Sequence, residues 1–233
     1  MHRKNMSQAQ PKIVSPSTQS QPELTMLDIK KFKTTGLSKD PYDYILVPNF
    51  LHPEAFVRSI EDYPVIDKRG SFALASLKYG PAFKQLISEL QSNAFRDAVA
   101  EKFGVDLNGK PTMVTVRGMC SRRDGKIHTD TESKILSLLL YMNRSWEENE
   151  GGRLRLLRSK NIDDVAMEVP PASGALLVFR RSDHSFHGHK PFAGTRRVIQ
   201  LNWVTDQKFV DTNMKRHGLS ALIKRLNPFS GEY

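Results

Sequence analysis

Only one cysteine, Cys120, occurs in the 233 residues. No intramolecular disulfide can form, and no charged-then-apolar secretion signal opens the chain, so the expected setting is reducing and cytoplasmic. Long apolar runs are missing as well. The most apolar stretch, Ile135 to Met142, is strand-length, well short of the roughly 20 residues a membrane-spanning helix needs, which leaves a soluble protein with no transmembrane segment as the expectation. Acidic residues are the minority, 25 Asp and Glu against 35 Lys and Arg. The net charge of +10 attracts anionic ligands such as nucleic acid, acidic lipid or phosphorylated substrates. The cations are scattered, however, which fits a solvated basic surface better than a nucleic-acid footprint. No internal sequence repeat is present.

What the sequence does have is a hydrophobic content of 39%, enough for a substantial core. Residues 1–22 are rich in Ser, Gln and Pro with almost no aliphatic pairs, a composition that cannot offset the entropy of ordering, and are read as a disordered tail. A single domain is expected over 23–233: a supporting region of helices and a strand over 23–111, a β core over 112–205, and a helical extension over 206–233. In that extension Leu219, Leu222, Ile223 and Leu226 share one helical face, a pattern that suits packing against the sheet.

Tyr44, Ile45, Leu46 and Val47 cluster as a strand within 43–51. His52-Pro53-Glu54 then opens a helix to about Tyr63, since Pro is tolerated in a first turn and Glu complements the dipole there. Helical spacing returns over about Pro81 to Phe103, through Phe83, Leu86, Ile87 and Leu90, with a break near Ser92-Asn93. Past Gly104 the period becomes that of strands, with segments at Thr112 to Met119, Ile135 to Met142, Arg153 to Leu157, Ala175 to Arg181 and Arg197 to Val204. Serial short strands separated by Gly, Pro, Asn and Asp clusters predict a sandwich or jelly roll rather than alternating strands and helices.

His128-Thr129-Asp130 places two metal-ligand side chains two residues apart, and on an extended chain residues i and i+2 face the same way. They can converge on one ion. Two histidines and one carboxylate leave three neighbouring coordination positions open, the arrangement iron(II) uses to hold a co-substrate and oxygen together. Alone, His-x-Asp is also what a turn capped by Asp130 would show. Downstream, the apolar run from Leu176 to Phe179 leads into a loop with three further histidines, His184, His187 and His189.

At this point the chain resembles the prolyl-4-hydroxylase-like branch of the iron(II)/2-oxoglutarate-dependent oxygenase superfamily, whose pattern is His-x-Asp, a long gap, then His and a basic residue about ten positions later. Tyr141-Met142-Asn143, Trp146 and Gly151-Gly152-Arg153-Leu154-Arg155 resemble the family's Tyr-Leu-Asn, Trp and Gly-Gly-x-Leu segments in order. Leu176-Leu177-x-Phe179 and His187-x-x-x-Pro191 resemble the strand before the distal histidine and the stretch after it. The correspondence covers roughly residues 112–205. It implies a mainly β fold with flanking α-helices, a double-stranded β-helix of jelly-roll, cupin-like type braced by N-terminal helices. It also selects His187 as the third metal ligand beside His128 and Asp130, with His184 and His189 out of register.

The same resemblance assigns Arg197 to the residue that grips the distal carboxylate of 2-oxoglutarate, ten residues after His187 and six before Trp203. A guanidinium can hold a carboxylate bidentately, and Arg197, Ile199, Leu201 and Trp203 share one strand face. Arg196 is the competitor, because one residue's shift reverses the face and some relatives carry the basic residue nine positions after the histidine. Tyr141 is implied as a second partner of that carboxylate; otherwise it is a core tyrosine.

The implied activity is that of a 2-oxoglutarate-dependent dioxygenase, a hydroxylase that uses Fe(II), 2-oxoglutarate and O2, with ascorbate as a compatible reductant, and releases succinate and CO2. The substrate, a small molecule, peptidyl proline, amino acid or glycan, stays open, as does the oligomeric state. Arg122, Arg123 and Lys126 before the first ligand, and Arg180, Arg181 and Lys190 around the third, would favour an anionic substrate if they line the entrance; basic loop residues are otherwise simply solvated. A metal-binding jelly roll of another kind, a cupin-type isomerase or ligand-binding protein, would keep the histidines without needing Arg197 and Tyr141. A nucleic-acid-binding module would bind in a salt-dependent way, indifferent to His128.

Overall fold

A computed structural model describes residues 25–147 and 151–213. The tail read over 1–22 and the amphipathic stretch Leu219 to Leu226 lie outside the described residues. The chain runs α1 (Ile29–Thr34), β1 (Tyr44–Val47), α2 (Pro53–Glu61), β2 (Phe72–Ala73), α3 (Pro81–Leu90), α4 (Asn93–Phe103), β3 (Thr112–Cys120), β4 (Lys134–Tyr141), β5 (Leu154–Leu157), β6 (Val165–Val169), β7 (Leu176–Arg180), β8 (His187–Gly188) and β9 (Gly194–Val204).

Local chemistry sets the helices. Pro53 opens α2 with Glu54 in its first turn, where a fixed φ and a negative charge both suit the exposed amides. The break expected at Ser92-Asn93 is real: α3 ends at Leu90, and the Ser92 hydroxyl accepts from the Phe95 amide to start α4. Gly104, at φ 58°, closes α4 in the left-handed conformation that glycine adopts at little cost.

The strands form two antiparallel sheets, a larger one ordered β1-β7-β4-β9-β3-β2 and a smaller one ordered β6-β5-β8. This is the double-stranded β-helix expected. Both faces of the larger sheet are buried. On one, Val114, Val116, Leu136, Leu138, Leu140, Ile199, Leu201 and Trp203 join Phe83, Leu86, Leu90, Phe95 and Val99 of the helices in a single apolar cluster, with the Phe95 and Trp203 rings 6.3 Å apart. On the other, Leu139, Tyr141, Leu177, Phe179 and Val198 meet Leu154, Leu156 and Val169 of the smaller sheet. The helices therefore brace the outside of the sheet, and the barrel interior lies on its opposite face.

The two-residue strand β8 and the half-exposed β6 were not read from the sequence; neither carries an apolar run of strand length. A bulge between β3 and β9 sets two steps on β3, Arg117 to Met119, against three on β9, Val198 to Thr195. Such an extra residue bends the strand, here at the pair Arg196 and Arg197.

Candidate metal centre and co-substrate pocket

His128 and His187 meet through an isolated antiparallel bridge, with His128 N–H donating to the His187 carbonyl at 3.1 Å and His187 N–H to the His128 carbonyl at 3.0 Å. That pairing places the His-x-Asp segment alongside β8, at the edge of the smaller sheet. The imidazole centroids stand 4.3 Å apart. Ligand-type atoms of His128, Asp130 and His187 all lie within 4.8 Å of one another. Asp130 and His187 are buried and His128 is exposed, so the cluster opens on the His128 side.

Neighbouring backbone fixes which nitrogen each ring presents. His128 Nδ1 is 2.9 Å from the Lys126 carbonyl, and His187 Nδ1 is 2.9 Å from the Ser185 carbonyl. A carbonyl only accepts, so each Nδ1 carries the proton and each Nε2 keeps its lone pair. Burial pushes the His187 imidazole down to about 4, against the opposing pull of Asp130, which leaves it neutral near neutral pH.

Asp130 is held at both oxygens. Lys134 Nζ reaches Oδ1 at 2.6 Å, and the Ser137 hydroxyl donates to Oδ2 while it also lies 2.9 Å from Asn202 Oδ1. Burial works to raise this carboxyl, but the Lys134 and His187 charges and the hydrogen bonds from Lys134 and Ser137 outweigh it and hold Asp130 below the ordinary carboxylate range. Two imidazoles and one carboxylate, their ligand atoms within 4.8 Å of one another, form the donor set of a facial iron(II) site, and the residues present fit that ion.

The fold sets the two candidate arginines on opposite faces of β9. Arg197, Ile199, Leu201 and Trp203 do share a face, but it is the one packed on the helices, and the Arg197 guanidinium sits 5.4 Å from the Tyr63 ring centroid. Alternation identifies an inside only when one face of a sheet is buried; here both are. Arg196 points into the barrel beside Val198 and Tyr141. It is 7% exposed, donates from Nε to the Gly152 carbonyl at 2.7 Å, and lies 3.4 Å from the Tyr141 hydroxyl. No carboxylate pairs with it among the described residues. Tyr141 is fully buried, and burial raises its hydroxyl despite the nearby Arg196 charge.

Gly152, at φ 80°, is where the Gly-Gly segment matters. A Cβ there would come within 3.0 Å of Phe192 and 3.1 Å of Trp146, so glycine presents its carbonyl to Arg196 without strain. The remaining histidines divide. His184 is exposed, as a loop histidine would be. His189 is buried instead: its ring lies 3.8 Å from Cys120 Sγ over Gly125, where a Cβ would overlap it at 2.4 Å. The sequence reading also passed over Ser137, although a hydroxyl inside the apolar run Ile135 to Met142, in phase with Tyr141, was a usable signal.

A jelly roll that gathers two histidines and a carboxylate at its open side, with a buried guanidinium further in, defines the class of 2-oxoglutarate-dependent iron oxygenases. Residues 118–205 match the family model described as the 2OG-Fe(II) oxygenase superfamily. Within that segment lie His128, Asp130 and His187, and the match supports reading the chain as a 2-oxoglutarate-dependent dioxygenase that uses Fe(II), 2-oxoglutarate and O2. Among solved structures, its fold is similar to a prolyl-4-hydroxylase from Pseudomonas putida, at 17% identity and TM-score 0.50 over 77% of this chain and 97% of that one. A prolyl 4-hydroxylase from Phytophthora capsici gives 15% identity and TM-score 0.52, over 89% and 79% of the two chains. At these identities the likeness is one of fold. No curated protein matches the sequence. No helix among the described residues is long and apolar enough to cross a membrane.

Proposed function

We propose that the chain hydroxylates a peptide, amino acid or glycan substrate, with His128, Asp130 and His187 as the iron ligands and Arg196, aided by Tyr141, as the anchor for the distal carboxylate of 2-oxoglutarate. The observation that carries this reading is Arg196 itself. A guanidinium 7% exposed with no acid beside it among the described residues is costly unless an anion completes the site. The interior face of β4 and β9 holds that guanidinium on the same side of the sheet as Ser137, which touches Asp130.

Each residue then has a task. The two Nε2 atoms and the Asp130 carboxylate offer the metal three donors. Ser137 and Lys134 fix the carboxylate's orientation. Arg196 and Tyr141 align the co-substrate, and Leu139, Leu177, Phe179 and Val198 exclude water around it. The bound cofactors supply the oxidising power for breaking a C–H bond. The apolar cluster shared by helices and sheet, from Met26 to Trp203, supports reading the described part of 23–233 as one domain.

Succinate release from 2-oxoglutarate by the iron(II)-loaded full chain tests the assignment. His187→Ala should reduce turnover to background. Arg196→Met should raise the 2-oxoglutarate KM about a hundredfold, the equivalent of roughly 3 kcal/mol for removing one partner of a buried charge pair, while Arg197→Met should change it less than about threefold. The reverse ranking of the two arginines would return the anchor to Arg197.

A further inference from the structure

The loop that leads into His128 presents three cations whose charge nothing described cancels. Arg122, Arg123 and Lys126 are all exposed, and none forms an ion pair among the described residues. The one acid within the loop, Asp124, is turned inward, bonded to the Ser121 amide at 2.8 Å and paired with Arg117 at 3.4 Å. The basic residues around the third ligand are instead matched: Arg180 with Asp43 at 3.1 Å, Arg181 with Asp183 at 2.7 Å, and Lys190 with Asp163 at 2.9 Å. The cluster Arg122, Arg123 and Lys126 is thus distinguished from its surroundings by lacking acids.

The loop is also fastened. The Asp124 amide donates to the Ser121 carbonyl, the His189 amide to the Gly125 carbonyl, both at 2.9 Å, and the Lys126 carbonyl receives His128 Nδ1. The same turn that orients the first metal ligand therefore carries the charges. His128 is the exposed member of the ligand cluster, and the exposed Lys126 stands two residues before it, its carbonyl bonded to the His128 ring. Glu132, exposed just past Asp130, is a single opposing charge. Rim charges of one sign beside a cleft raise encounter rates for ions of the other sign and select among partners.

We propose that this loop selects an anionic substrate, a small molecule or saccharide unit bearing a carboxylate or phosphate near the C–H bond to be oxidised, over a neutral prolyl peptide. The proposal rests on the oxygenase reading above. It concerns Arg122, Arg123 and Lys126 only, and leaves Arg196 to the co-substrate.

The test is calorimetric titration of the full chain loaded with iron(II) and 2-oxoglutarate without oxygen. Glucose 6-phosphate and glucuronate serve as anionic probes, glucose and a (Pro-Pro-Gly) repeat peptide as neutral ones. One or both anionic probes should bind in preference to the neutral ones, and which of them binds separates phosphate from carboxylate recognition. Their affinity should fall with added salt, and on the order of tenfold in Arg122→Glu/Arg123→Glu. Glucose or the peptide binding as well as the anions, no probe binding, or an unchanged affinity in the double variant overturns the proposal. So does an equal fall in 2-oxoglutarate affinity, which would assign the loop to the co-substrate. Failure of the wild-type chain to bind 2-oxoglutarate with iron would instead count against the oxygenase reading, and melting curves of the double variant exclude misfolding.

Discussion

Asp130 shows how one side chain is specified by its neighbours. Its two oxygens are taken by Lys134 and by Ser137, and Ser137 is itself tied to Asn202. Outer contacts of this kind typically alter metal affinity by about 10–100-fold when removed. Ser137→Ala should therefore weaken binding of iron(II), or of a spectroscopically convenient divalent substitute, by at least about tenfold. It should also lower stability by about 1–3 kcal/mol, because Asp130 Oδ2 and Asn202 Oδ1 lose a buried partner. A loss of stability with unchanged metal affinity would reduce Ser137 to a packing role. The residues proposed for the centre, which the fold brings within 4.8 Å of one another, were legible because His-x-Asp and a distal histidine are read by spacing. The proposed anchor was not, since choosing between Arg196 and Arg197 depends on which buried face of β9 looks into the barrel, and the apolar alternation of Ile199, Leu201 and Trp203 is just as strong on the helix side.

Among the elements, long apolar strands and amphipathic helices were read nearly to their ends: α3 and α4 divide at Ser92, and β3, β4, β7 and β9 fall where the period changes. Short elements were not, because β8 owes its two residues to pairing with β5 and the His128 bridge rather than to any local pattern. The turn into β5 illustrates function resting on such local geometry. At Gly152, φ 80° and the closeness of Phe192 and Trp146 make any larger residue strained by about 1–2 kcal/mol. Gly152→Ala should lower the melting temperature and, by moving the carbonyl that accepts from Arg196, weaken 2-oxoglutarate several-fold. Thermal unfolding and co-substrate titration separate these effects; a lower melting point with intact co-substrate affinity would show that the carbonyl does not orient the arginine.

At the scale of the whole molecule, two cores share one sheet: the helical core fixes its outer face, and the barrel core surrounds a cluster of polar groups that the protein alone leaves without full compensation. Arg196 has no acid beside it among the described residues, and two imidazoles face a carboxylate. Ligands that complete these groups bind the folded state alone, so they should raise its stability by RT ln(1 + [L]/Kd), about 2.7 kcal/mol for each at a hundred times its Kd. Thermal melts with a redox-inert divalent metal, then with metal and 2-oxoglutarate together, should give two successive upward shifts. Arg196→Met should keep the first and lose the second, His187→Ala should lose the first, and a chelator should return the wild type to its starting melting point. If 2-oxoglutarate still stabilises Arg196→Met by the full increment, the uncompensated guanidinium is not what holds the co-substrate.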